Sequence, residues 1–127
     1  MTADAANNGL VVVADDERDI VELVSILLRR DGYEVVAAYD GNHALALARA
    51  MAPVLCILDG TMPGMAGFEV LEALRADEAT EDIAVLILTA TVNEEREIRR
   101  HGVVPDAFVQ KPFDSNALLA EVSRLVS

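Results

Sequence analysis

Four apolar runs in this chain break off into residues that can do chemistry. Residues 10–14 run straight into Asp15, Asp16 and Glu17, and residues 54–58 end at Asp59 ahead of Gly60. Residues 83–88 end in Thr89-Ala90-Thr91, and a shorter run, 107–110, ends in Lys111-Pro112-Phe113. Carboxylates gathered in one crevice repel each other and lift at least one pKa unless a cation neutralises them. The candidate ligands are all oxygens, with no His or Cys close by in sequence, which favours Mg²⁺, Mn²⁺ or Ca²⁺ over Zn²⁺. Two or three carboxylates cannot complete six-coordination, and leaving the other positions to water, a backbone carbonyl or a phosphoryl oxygen is the habit of Mg²⁺. Asp15, Asp16 and Glu17 can also be read as acids opposing the dipole at a helix start. Capping gives no reason for an ionisable group at Asp59. Lys111 is the only lysine beside nine arginines; a compact ammonium has been kept where a forked guanidinium would fit poorly. Acid, acid, hydroxyl and ammonium together suit phosphoryl transfer. Asp59 would be the nucleophile that becomes an acyl phosphate, a metal would bridge carboxylates and phosphoryl oxygens, and Thr89 and Lys111 would hold the remaining oxygens.

Such a set works only if the four run ends meet in space. The runs at 10–14, 35–38, 54–58 and 83–88 predict strands, with a weaker one at 107–110, and three are continuously apolar, as strands buried on both faces are. Between them lie stretches of helical period: Ile20, Leu23, Val24, Leu27 and Leu28 up to Arg29, Arg30 and Gly32; an alanine-rich stretch, 41–51, stopped by Pro53; and Phe68, Val70, Leu71 and Leu74. A fourth, 93–101, is polar apart from Ile98 and closed by Gly102, and the last carries Leu118, Leu119, Val122 and Leu125 behind an Asp114 N-cap. Fivefold alternation of strand and helix predicts an α/β sandwich around a five-stranded parallel sheet in the flavodoxin-like order 2-1-3-4-5. Ligands bind in such folds beyond the carboxyl ends of strands 1 and 3. The sequence contains no internal repeat, low-complexity block or linker.

With 127 residues the chain is sized for one domain, expected over 9–127 behind a disordered tail at 1–8, and its 53% apolar residues suffice for a core. A net charge of −12 repels phosphate backbones and anionic lipid, arguing against direct nucleic-acid or membrane binding. The longest apolar run is too short to span a bilayer, and the first residues lack the pattern of a signal peptide. Cys56 is the one cysteine, so no intramolecular disulfide forms, which suits a reducing cytosol; a cytoplasmic location is expected.

Asp15-Asp16, Asp59 followed by Met62-Pro63-Gly64-Met65 and Gly67, Thr89-Ala90, and Lys111-Pro112-Phe113 are spaced so that the chain resembles the receiver domains of two-component response regulators, the CheY-like superfamily. The resemblance covers everything after the tail. It implies phosphoryl transfer to Asp59 from a phosphohistidine, with a sensor histidine kinase or a histidine phosphotransfer protein as donor and an unnamed downstream protein or output domain as receiver of the signal. It implies Mg²⁺, with Mn²⁺ a workable substitute, held by Asp16, Asp59 and the backbone carbonyl of Thr61, Asp15 acting through water. Thr89 would be the switch hydroxyl, Phe108 the switch aromatic, and Lys111 the group that binds a phosphoryl oxygen. A receiver catalyses its own Mg²⁺-dependent phosphorylation and dephosphorylation and is no turnover enzyme on external substrates.

Three positions depart from the family pattern. Gly60 stands where a bulky apolar residue is usual, which predicts a looser loop at Asp59. Ala66 stands where Asp or Ser usually caps the third helix. Val104 replaces a customary glycine, with Gly102 earlier and Pro105 after, which predicts an early end to the fourth helix and an irregular connection. Ala107 and Glu121 do not match the residues through which receivers with winged-helix outputs pair, so a monomer is expected. No output segment follows the last helix, which predicts either a stand-alone receiver or one cut from a larger regulator. His43, His101, Met62, Met65 and Cys56 read as surface, loop or core residues, and the charged run Glu94, Glu95, Arg96, Glu97, Arg99, Arg100 as a solvated helix. Leu58-Asp59-Gly60-Thr61 resembles the aspartate motif of haloacid-dehalogenase-like phosphatases, but Ile57 stands where that motif needs its nucleophile. A flavin or nucleotide site would need a glycine- or hydroxyl-rich loop in place of Asp15-Asp16-Glu17. The remaining alternative is a receiver-like interaction module that works without phosphorylation.

Overall fold

The computed structural model describes residues 8–127. Five strands and five helices alternate: β1 Leu10–Ala14, α1 Arg18–Arg30, β2 Glu34–Ala38, α2 Gly41–Met51, β3 Leu55–Asp59, α3 Gly67–Arg75, β4 Ala84–Thr89, α4 Val92–Arg100, β5 Ala107–Gln110 and α5 Ser115–Val126. The strands form one parallel sheet in the order β2-β1-β3-β4-β5, the flavodoxin-like arrangement expected.

Alternation along each strand sends side chains to opposite faces. Val11, Val13, Leu55, Ile57, Leu86 and Leu88 pack with Val21, Val24 and Leu28 of α1 and Leu118 and Val122 of α5. Val12, Ala14, Cys56, Leu58, Val85 and Ile87 pack on the other face with Ala44 and Ala48 of α2, Val70, Leu71 and Leu74 of α3, and Ile98 of α4. The sheet is therefore covered twice, which is why its strands read as unbroken apolar runs. Ile98 is the one buried residue of α4.

Two strands end later than their apolarity suggested. β3 continues through Asp59, paired with Leu88, and β4 through Thr89, paired with Gln110. Hydropathy marks where burial by apolar groups stops, whereas the ladder continues while a neighbouring backbone remains to pair with. The two polar side chains are consequently held in the ladder itself. Asn8 also differs from expectation. The tail at 1–8 was expected to be disordered; residues 1–7 lie outside the described residues, and Asn8 is tied down, its N donating to Gly32 O at 2.8 Å and its Nδ2 to Asp31 O at 2.7 Å.

The irregular connection before β5 exists and is anchored. Gly102 has φ +83°; farther on, Asp106 Oδ2 accepts from Val85 N at 2.8 Å and from Arg75 Nη2 at 2.9 Å. Arg75 Nη1 also donates to Ile83 O at 2.7 Å. Ala66 gives α3 no side-chain cap, as expected, although Glu69 Oε1 reaches back to Ala66 N at 2.9 Å. At the amino-terminal edge of the sheet, Asn8, Asp31, Tyr33, Ser123 and Ser127 line one open groove, which brings the two ends of the described chain together.

Candidate functional site

At the carboxyl edge of the sheet, the ends of β1 and β3 bring three aspartates together. One carboxylate oxygen from each of Asp15, Asp16 and Asp59 lies within 4.8 Å of the others. Asp15 is 0% exposed and Asp59 5%, whereas Asp16 is open to solvent. β5 delivers the counter-charge: Lys111 Nζ lies 2.7 Å from Asp15 Oδ2, 3.2 Å from Asp59 Oδ1 and 3.2 Å from Glu17 Oε1. The backbone N of Lys111 donates to Thr89 O at 2.7 Å, which ties the start of this loop to the end of β4, and the peptide to Pro112 is cis.

Burial raises the Asp59 pKa to about 7, the negative charge of Asp15 adds to the rise, and Lys111 opposes it. Asp15 is also raised, chiefly by burial, with its hydrogen bonds to Lys111 and to the Glu17 amide opposing the shift. Burial alone would lower Lys111, but the hydrogen bond to Asp15 and the charge of Asp59 outweigh it and hold the ammonium above its ordinary range. Three acids against one firmly charged lysine leave the site short of positive charge. An all-oxygen donor set with that deficit fits a hard divalent cation.

Thr89 ends β4 at 1% exposure, and its Oγ1 is buried without a hydrogen-bond partner. Thr61 lies in the exposed loop two residues beyond Asp59. Phe108 sits on β5, partly buried against the core, with the Arg99 guanidinium 4.8 Å above its ring. The approach of α3 to the site depends on Gly67, where a Cβ would collide with the Asp59 carbonyl oxygen.

Two site neighbours were not singled out from sequence. Glu17, read as one of a run of acids, is a direct partner of Lys111. Glu94, read as part of a solvated helix, turns inward: its Oε1 accepts from Ala90 N at 2.9 Å, and its Oε2 is buried without a partner. Gly60 makes room for it, since a Cβ there would collide with Glu94 Oε2. The loop at Gly60 is thus filled, and Gly60 N is held by Leu88 O at 2.8 Å. The glycine after Asp59 was the available signal, because an absent side chain at a crowded place implies a neighbour that needs the room. The rest of the charged helix behaves as read, with Glu95–Arg99 and Glu97–Arg100 pairs at 3.3 and 2.8 Å. Met62 is buried, Cys56 is buried with its thiol pushed up to about 12, and His101 stacks on Phe68 with ring centroids 4.1 Å apart.

The sequence signature described as "response regulator receiver domain" matches residues 11–123. The chain belongs to that family. The receiver is 40% identical over 116 residues to the DNA-binding dual master transcriptional regulator RpaA of a Synechocystis strain, covering 91% of this chain and 48% of that protein. It is 37% identical over 123 residues to hybrid signal transduction histidine kinase D of Dictyostelium discoideum, covering 95% of this chain and 8% of that one. Among solved structures, chemotaxis response regulator CheY4 of Vibrio cholerae superposes with a TM-score of 0.80 at 31% identity, over 91% of this chain and 97% of its own. The Francisella response regulator 1452 receiver domain gives 0.81 at 28% identity, over 93% and 96%. The chain spans about half the length of RpaA and a small part of the Dictyostelium kinase. Receiver domains are phosphoacceptors of two-component signal transduction that interact with histidine kinases and output domains, and they bind Mg²⁺ at an acidic pocket of the kind Asp15, Asp16 and Asp59 form here. No described helix is long and apolar enough to cross a membrane.

Proposed function

We propose that this receiver takes a phosphoryl group onto Asp59 from the phosphohistidine of a sensor histidine kinase or a histidine phosphotransfer protein, and that the resulting acyl phosphate changes a protein-binding surface. The observation that carries the reading is the Lys111 ammonium bridging two buried carboxylates, Asp15 and Asp59, with the unpartnered hydroxyl of Thr89 on the adjoining strand. An Asp59 oxygen bonds to phosphorus as the P–N bond breaks, and the departing imidazole keeps the electron pair and takes up a proton. Asp16, Asp59 and the Thr61 carbonyl would hold Mg²⁺, with Asp15 acting through water. When bound, the ion would supply positive charge against the carboxylates and the phosphoryl oxygens. Lys111 neutralises a further oxygen, and the Thr89 hydroxyl gains in the phosphoryl group the partner it lacks. Movement of Thr89 toward that oxygen vacates space on β4, into which Phe108 turns; this is the switch.

The domain acts on itself and turns over no external substrate. RpaA is described as DNA-binding, but more than half of that protein lies outside the match, and the net charge of −12 here argues against contact with a phosphate backbone by this domain. The reading places the domain in the cytoplasm, where its kinase partners present their phosphohistidines.

Intact mass after incubation with Mg²⁺ and a small acyl-phosphate donor tests it. One base-labile phosphoryl increment is expected, absent in Asp59→Asn and in the presence of a chelator. No increment under conditions that label a known receiver, together with none from a histidine phosphodonor, would favour an interaction module that works without phosphorylation.

A further inference from the structure

We propose that Glu94 competes with the phosphoryl group for its place, so that it sets how readily Asp59 is modified. The inference rests on the phosphoacceptor reading above. One carboxylate spans two points: Oε1 on the Ala90 amide and Oε2 over the backbone of Gly60. The Ala90 N–H therefore points into the space beside the residue that follows Asp59, one residue beyond the unpartnered Thr89 hydroxyl. A phosphoryl group on Asp59 needs donors in that space, and the Ala90 amide is one of them. While Glu94 holds the amide, a negative oxygen already occupies an anion position.

The two anions cannot share it. Glu94 Oε2 is buried with no hydrogen-bond partner, and the Lys111 ammonium is committed to Asp15, Asp59 and Glu17. A Glu94 carboxylate and a phosphoryl group brought to the same amide repel each other as like charges. Modification of Asp59 must expel Glu94, leaving the amide to exchange a carboxylate oxygen for a phosphoryl oxygen. Glu94 lies in the first turn of α4, and that helix has a single buried anchor, Ile98. Expulsion therefore bears on the start of a loosely held helix. Gly60 is the other half of the arrangement, since any larger residue there would keep the carboxylate out.

The test is the initial rate of labelling by an acyl-phosphate donor with Mg²⁺, read by intact mass, in wild type, Glu94→Ala, Glu94→Gln, Gly60→Ala and the Glu94→Ala/Gly60→Ala double variant, each checked for folding by circular dichroism. Removing the charge should speed labelling about 3- to 10-fold in Glu94→Ala, with Glu94→Gln between it and wild type. Gly60→Ala should also be faster, and the double variant no faster than either single one, because both changes remove the same obstacle. Rates that multiply in the double variant, or a Glu94→Gln rate equal to that of wild type, would overturn the role of Glu94 while leaving Asp59 as the acceptor. Absence of labelling in wild type and in every variant would instead overturn the phosphoacceptor reading and this one with it.

Discussion

Asp59 holds its carboxylate in a buried place beside another acid, and its pKa of about 7 turns that into a dependence of stability on pH. An unfolded aspartate titrates near 4, so between about pH 4 and pH 7 the folded chain binds a proton that the unfolded chain has released. Stability from this group is therefore highest at low pH and falls as pH rises to about 7, beyond which the full penalty for the charge applies. Without Mg²⁺, Asp59→Asn should be more stable than wild type at pH 8 by about 1–3 kcal/mol, after allowing for the Lys111 contact it weakens. The difference should vanish near pH 4. Urea unfolding at the two pH values checks this, and added Mg²⁺ should raise the wild-type midpoint at pH 8 more than that of the variant. At this scale the sequence was informative where residue type was unusual for its place. An acid ending an apolar strand and a lone lysine among arginines pointed to Asp59 and Lys111. Glu94 stayed hidden because a glutamate among arginines on a polar helix has the same local pattern whether it faces water or a neighbour.

Between elements, the site depends on close approach of backbones. Gly67 starts α3 against the Asp59 carbonyl, and a methyl group there must push the helix away from β3. Gly67→Ala should destabilise the fold by about 1–3 kcal/mol and slow labelling of Asp59, as measured by urea unfolding and intact mass. α4 lies at the other extreme. With one buried residue, against four each in α1, α2 and α3, its amides should exchange with deuterium faster than those of the other helices. Equal protection of α4 and α1 would mean that the helix is held by something other than Ile98. The order and identity of these elements followed from apolar runs alternating with helical period, a pattern forced by a sheet buried on both faces. Their ends did not, since Asp59 and Thr89 extend their strands as polar residues and Thr91 starts α4 early by accepting from Glu94 N at 3.1 Å.

For the whole molecule, 22 acidic against 10 basic residues leave a chain that repels itself when folded. Raising monovalent salt from low to moderate concentration should lift the melting temperature by about 3–5 °C, corresponding to roughly 1 kcal/mol, as scanning calorimetry would measure; no change would mean that the acids are already compensated locally. The site and the ends of the described residues occupy opposite edges of the sheet. Asn8 and Ser127 share one groove, and residues 77–79, exposed between α3 and β4, lie on that same edge. A chain begun at Glu78 and closed by a short linker from Ser127 to Asn8 would keep every loop of the acidic edge uncut. The linear order of the gene and the working order of the site are thus separable, so the fold can be rotated in sequence, or inserted whole into another protein, without disturbing its chemistry.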